Sequence, residues 1–114
     1  MSTNTDMTLF HNEKGTFKRA YIEFVMWQGG DGYSISKGYE NANNVDVWIP
    51  TNKNDLSNIS FKAGDIIVKG NVNLNNITSE YDLKAYKTYK IIEIVENKYG
   101  SIDLQHIFIG AKWY

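Results

Sequence analysis

The side chains able to do acid–base or metal chemistry are few and scattered. His11 and His106 are the only histidines. As a pair they admit a two-histidine metal site or a general base. Each also admits a plain packing role, His11 at a strand edge and His106 as a hydrogen-bonded core or rim residue in phase with Leu104 and Phe108. The carboxylates Asp46, Asp55, Asp65 and Glu93 fall among strands and turns, and no spacing calls for a catalytic pair. Asp46 alternates with Val45 and Val47, which directs it to solvent. Asp65 follows Gly64, where a carboxylate most simply accepts hydrogen bonds from nearby backbone N–H groups. No serine or threonine sits in a nucleophile elbow. The chain has no cysteine, which excludes disulfides and thiolate zinc sites. Gly29-Gly30-Asp31-Gly32 lacks the Gly-Lys-Ser/Thr of a P-loop and the spacing of a dinucleotide fingerprint, so it reads as a hairpin tip. No catalytic, cofactor or metal residue is assigned. The expectation is a protein that is not an enzyme.

Aromatic residues say more. They make up 14% of the 114 residues, a share suited to pleated surfaces and interfaces. Trp27, Trp48, Trp113 and Tyr114 are too many to bury together in so small a core, and the last two stand at the very end of the chain. There they would form a frayed tail or a simple cap on the barrel, or offer rigid rings to a partner. Lys84, Tyr86, Lys87, Tyr89 and Lys90 interleave charge with rings. That pattern suits either base stacking or a lysine-protected strand edge. Net charge is −1 and Arg19 is the only arginine among 12 basic residues, which disfavours recognition of DNA or RNA.

The elements that must position these side chains are strands. The length suits one domain, and 42% apolar content is enough for a core. Met1–Asp6 reads as a flexible leader with no signal-peptide character, and no apolar run reaches membrane-spanning length. A soluble protein made in a cytoplasm is expected. Strands are predicted over 7–11, 17–28 (the first long one), 45–49, 66–70, 88–96 and 101–110, and Tyr33-Ser34-Ile35-Ser36 alternates like a strand. In the second, Ala20, Ile22, Phe24 and Met26 would share one face. In the last, Ile102, Leu104, His106 and Phe108 would share one, with Ile107 and Ile109 on the other. Thr78 to Tyr86 carries a helix signal, with an N-cap at Thr78 or Ser79, acidic residues in the first turn, and Leu83 and Tyr86 to pack on the sheet. The whole reads as mainly β, a small antiparallel barrel or sandwich with long loops and one short helix.

The stretch from Val45 to Asn73 organises the rest. A strand closed by Pro50, the only proline, leads into a polar excursion from Thr51 to Ser60. Lys62-Ala63-Gly64-Asp65 then turns sharply, with Gly64 at positive φ, and launches a β-branched run that stops at Gly70. Together with the Tyr99-Gly100-Ser101 turn and Gln105-His106, this order resembles small head–tail joining proteins of tailed bacteriophages and prophages. Those are neck, head-completion or minor capsid components. The matching positions are Val47, Ile49, Pro50, Gly64, Asp65, Val68, Lys69 and Gly70, then Tyr99, Gly100, Ser101, Gln105 and His106, over roughly residues 45 to 112.

The resemblance implies a structural protein in the neck of the virion, assembled in the host cytoplasm. It would act in a homo-oligomeric ring between portal or adaptor proteins and tail-side proteins, meeting DNA only as it passes through the channel. Contact regions would be the tip at Gly29, Gly30, Asp31 and Gly32, Tyr39 in the Lys37–Asn44 loop, Asn52, Lys53, Asn54 and Asp55 in the excursion, and Trp113 with Tyr114. Pro50, Gly64, Asp65, Gly70 and Gly100 would be structural turn residues. The alternative is a small β-barrel binding module for single-stranded nucleic acid, or one that inhibits a host protein.

Overall fold

The computed structural model describes residues 3–29, 44–74, 83, 86–98, 100 and 105–113. Six strands close into a barrel: β1 (Thr5–Glu13), β2 (Thr16–Gly29), β3 (Asn44–Pro50), β4 (Ile66–Lys69), β5 (Tyr89–Asn97) and β6 (His106–Trp113). Their cyclic order is β1-β2-β3-β6-β5-β4, and every pairing is antiparallel. Of the two expected architectures the chain adopts the barrel, closed by short contacts: β2 meets β3 only over 26–29, and β4 meets β5 at Ile66 and Ile67.

Local chemistry explains how the strands join. β1 and β2 meet through Lys14 and Gly15, both at positive φ, the backbone of a tight hairpin turn. Gly64 is at φ 96° and an added Cβ would meet nothing, so its turn demands conformational freedom rather than space. Gly29 differs. Its φ is 99°, and an added Cβ would come within 2.4 Å of the Asn44 carbonyl oxygen, so both backbone and space require glycine where β2 ends beside β3.

Two irregularities set which side chains point inward. Thr5 pairs with Val25 and Met7 with Ile22, so Glu23 and Phe24 on β2 face only Asp6 on β1. The bulge switches the inward phase of β2. Ile22 is buried before it, Val25 and Trp27 after it. Phe24 and Met26 therefore do not share the face of Ala20 and Ile22 as their alternation predicts; Phe24 is 40% exposed. On β5, Ile92 is the extra residue between the Ile91–Ala111 and Glu93–Gly110 pairs, and it projects outward.

The interior holds Leu9, Ile22, Val47, Ile49, Ile91 and Ile109, among others, with Trp27 edge-on to Tyr89. At one mouth of the barrel, Leu56, Ile59 and Phe61 of the excursion pack on this core as a plug. A second core lies outside the barrel wall. Phe10, Ile66 and Val68 point outward from β1 and β4 and are covered by Val72 and Leu83, with Leu74 alongside. Thr8 holds this cover down: its hydroxyl donates to the Gly70 carbonyl at 2.7 Å and accepts the Val72 N–H at 2.9 Å. Arg19 donates to the Val72 carbonyl at 2.6 Å and to the side-chain oxygens of Asn71 and Asn73.

Several expectations shift at the ends. The leader is shorter than Met1–Asp6, because Thr5 and Asp6 are in β1 and the Asn4 side chain pairs with the Trp27 backbone. Pro50 is itself the last residue of β3. The final strand is His106–Trp113, later than expected, so Trp113 is a strand residue opposite Tyr89 and not a tail. Its inward face is Ile107, Ile109 and Ala111, which leaves His106 and Phe108 on the outer face; Ile102 and Leu104 lie outside the described residues. The helix expected over 78–86 also lies outside them except for Leu83 and Tyr86; Leu83 is buried in the second core, and Tyr86 is 41% exposed.

Candidate functional site

Strand register assembles a feature that no single stretch of sequence displays. Met26 pairs with Trp48, Trp48 with Phe108, and Phe108 with Val95. These four residues lie on the outer surface of β2, β3, β6 and β5 as one row across the wall. The Trp48 and Phe108 rings meet at 5.3 Å between centroids and 56° between planes, a favourable tilted contact. Phe24 stands beside Met26, and Val95 is 48% exposed at the far end. The neighbouring row reads Gln28, Asp46, Gly110, Glu93. Asp46 and Glu93 are both exposed, so the apolar row is bordered by two carboxylates. Asp46 thus faces solvent as its alternation predicts. A Cβ on Gly110 would contact Phe108 Cε2 at 3.8 Å, which places the Phe108 ring over that glycine. The two bulges help to build the surface, because one turns Phe24 and Met26 outward and the other pushes out Ile92, 61% exposed.

Acid–base chemistry gathers in one place, at the plugged mouth. The Asp65 carboxylate is fully buried. Its Oδ1 accepts the Asn12 N–H at 3.0 Å, while Oδ2 accepts the Lys62 N–H at 3.0 Å and lies 2.7 Å from His11 Nδ1. Asp65 is therefore the backbone-bonding turn residue expected, and it also orients His11. A group 54 residues away is invisible to local sequence patterns; only the β1–β4 pairing brings the two together. A groove of about 390 Å³ adjoins His11, lined also by Glu13, Lys18, Tyr21 and Ser60. His106 borders a different groove, of about 430 Å³, on the other side of the Leu56–Ser60 segment. The two histidines thus line separate grooves, and among the described residues no group of three His, Cys, Asp or Glu side chains could hold a metal. Tyr21 donates its phenol proton to Asp6 Oδ2, and this bond raises the phenol above its ordinary range.

The other expected contact positions are placed as follows. Asn54 works inside the chain: its side chain accepts the Phe24 N–H at 3.2 Å and donates to the Phe24 and Pro50 carbonyls. Asp55 accepts from the Ser57 hydroxyl at 2.7 Å and the Ser57 N–H at 3.1 Å, which holds its carboxyl below the usual range. Asn52 and Lys53 are exposed. Trp113 is 44% exposed, with the Lys87 ammonium 5.3 Å from its ring centre. Gly29 ends β2, Gly70 follows β4 and Gly100 has positive φ. Gly30, Asp31, Gly32, Tyr39 and Tyr114 lie outside the described residues. Sequence reasoning missed Met26, Phe108 and Val95 as surface residues; the signal was the doubled apolar character late in β2 and β6.

Among the described residues no helix is long and apolar enough to cross a membrane. Comparison with curated proteins and with solved structures gives no match. The model of one family, described as "Family of unknown function (DUF6751)", matches residues 2–112, nearly the whole length, and the chain belongs to that family.

Proposed function

We propose that this protein is a non-catalytic assembly module of a tailed-phage virion, a head–tail connector component acting in a ring between portal-side and tail-side proteins. The observation that carries the reading is the Met26–Trp48–Phe108–Val95 row. The barrel interior is filled by other residues, and the outer wall of β1 and β4 has its own cover. Apolar side chains aligned on the opposite wall and only partly buried suit a protein interface. The phage setting rests on the resemblance over roughly residues 45 to 112, within which Pro50, Gly64, Asp65 and Gly70 stand at strand ends and turns. The protein would be built into the neck in the host cytoplasm and would need no cofactor.

The test is incorporation into particles lacking only this protein. Wild-type protein should bind such particles and restore tail attachment, whereas Trp48→Ala with Phe108→Ala should fold but fail to bind. If wild-type protein ignores the particles, the neck reading falls. A second reading, a barrel holding single-stranded nucleic acid, is favoured by Trp113 under Lys87 and by Lys90 directly opposite Lys112. Salt-sensitive binding of an oligonucleotide, lost in Trp113→Ala, would select it over the first.

A further inference from the structure

The wall formed by β2, β3, β6 and β5 carries two parallel rows of different chemistry. The Met26–Trp48–Phe108–Val95 row is apolar; the next row along the strands places Asp46 and Glu93 on either side of Gly110. Rows on one face of a sheet are two residues apart, about 7 Å along the strand. We infer that this wall seats an extended segment of a partner protein that sets an apolar side chain on Trp48 and Phe108, and a Lys or Arg two positions on between Asp46 and Glu93. The inference rests on the assembly reading and names the chemistry of the partner.

Area and charge together choose this occupant. Four strands about 4.8 Å apart and two rows about 7 Å apart present on the order of 300 Å². A stable pair of globular proteins buries about 800 Å² on each side. The wall is thus too small to hold a second copy of the chain by itself, but it matches one extended segment. Two carboxylates beside an aromatic pair favour a cation, which gains from the carboxylate charges and from the ring faces. Lys112 occupies the row beyond, opposite Asn44 and Lys90. The complementarity therefore asks for a single basic position and not a basic tract.

The experiment titrates the full-length protein with a short synthetic peptide alternating Leu and Arg with small spacers, and with the same peptide carrying Glu for Arg. Amide and indole resonances of Trp48, Phe108, Asp46 and Gly110 report the site. The Arg peptide should shift these resonances and the Glu peptide should not. Asp46→Lys with Glu93→Lys, both at exposed positions, should weaken the Arg peptide by about tenfold or more and admit the Glu peptide. Equal binding of both peptides, or shifts confined to the grooves at the plugged mouth, overturns the inference. So does a concentration-dependent doubling of mass that the charge reversal abolishes, because the occupant would then be a second copy. The assembly reading is judged separately. If Trp48→Ala with Phe108→Ala loses particle incorporation while charge reversal leaves it intact, the partner chemistry fails and the assembly role stands.

Discussion

The two walls of this barrel solve one problem in opposite ways. On β1 and β4, alternation sends Phe10, Ile66 and Val68 outward, and the chain returns over them with Val72 and Leu83. Thr8 and Arg19 bolt the cover to the wall through the Gly70 and Val72 backbone. On β2, β3, β6 and β5, Met26, Trp48, Phe108 and Val95 also point outward, yet Val95 is 48% exposed and Phe24 beside the row 40%. One wall is finished by folding. The other keeps apolar side chains that are only partly buried, which suits a surface completed by a partner.

The contrast breaks first on stability. Phe10 is fully buried, and Phe10→Ala should cost about 3–5 kcal/mol. Phe108 is only partly buried, and Phe108→Ala should cost less, about 2 kcal/mol, because part of its ring stays wet in the folded chain. Urea denaturation of both variants measures the difference. Equal losses would mean that the two walls are equally part of the core, and the case for an interface would go with them.

Removing a bolt should come next in size. Thr8→Val keeps the shape of the side chain but strands the buried Val72 N–H and frees the Gly70 carbonyl. The cost expected is about 1–3 kcal/mol. Hydrogen exchange should then rise at Val72 while Trp48 stays protected. Faster exchange at both sites would show that the cover and the exposed wall are coupled through the barrel.

How much of this the sequence revealed follows from what is local. The strand of Val45 to Pro50, the run from Ile66, and the positive-φ turn at Gly64 are written in consecutive residues, and each lies where alternation and turn chemistry place it. The bulges are not written there. Whether Glu23 and Phe24 oppose one residue or two depends on how β1 pairs with β2, and that single choice moves Phe24 and Met26 from the expected inner face to the outer one. The row of four is likewise a property of three registers, so Trp48 stood out as an aromatic while its neighbours did not. The His11–Asp65 pair is hidden for the same reason. The polar excursion misled in a different way. Asn54 belongs to a stretch that looks free for partners, yet its amide ties the loop to Phe24 and Pro50.

Val95 sharpens the contrast at the wet end of the row. Val95→Thr keeps the β-branched shape and should change stability by no more than about 0.5 kcal/mol. Binding to particles lacking the protein should nonetheless weaken measurably if the row is an interface. A loss of stability without a loss of binding would return Val95 to the core.

The smallest effect expected lies in the loop that Asn54 fastens beside the exposed wall. Ser57 donates two hydrogen bonds to Asp55 and lowers its pKa from 3.8, so the ionised carboxylate is favoured in the folded chain. A lowered folded value places the stabilisation above the unfolded pKa and removes it as pH falls through the folded one. Asp55 is solvent-exposed, so screening keeps the contribution slight. Wild type should therefore exceed Asp55→Asn slightly in urea midpoint at about pH 6, and the gap should narrow steadily as pH falls through the carboxylate range. A gap that is constant across this range would assign the effect to the neutral hydrogen bond alone. A gap as large as that of Thr8→Val would mean that the loop, and not only the wall beneath it, is held as tightly as the covered side.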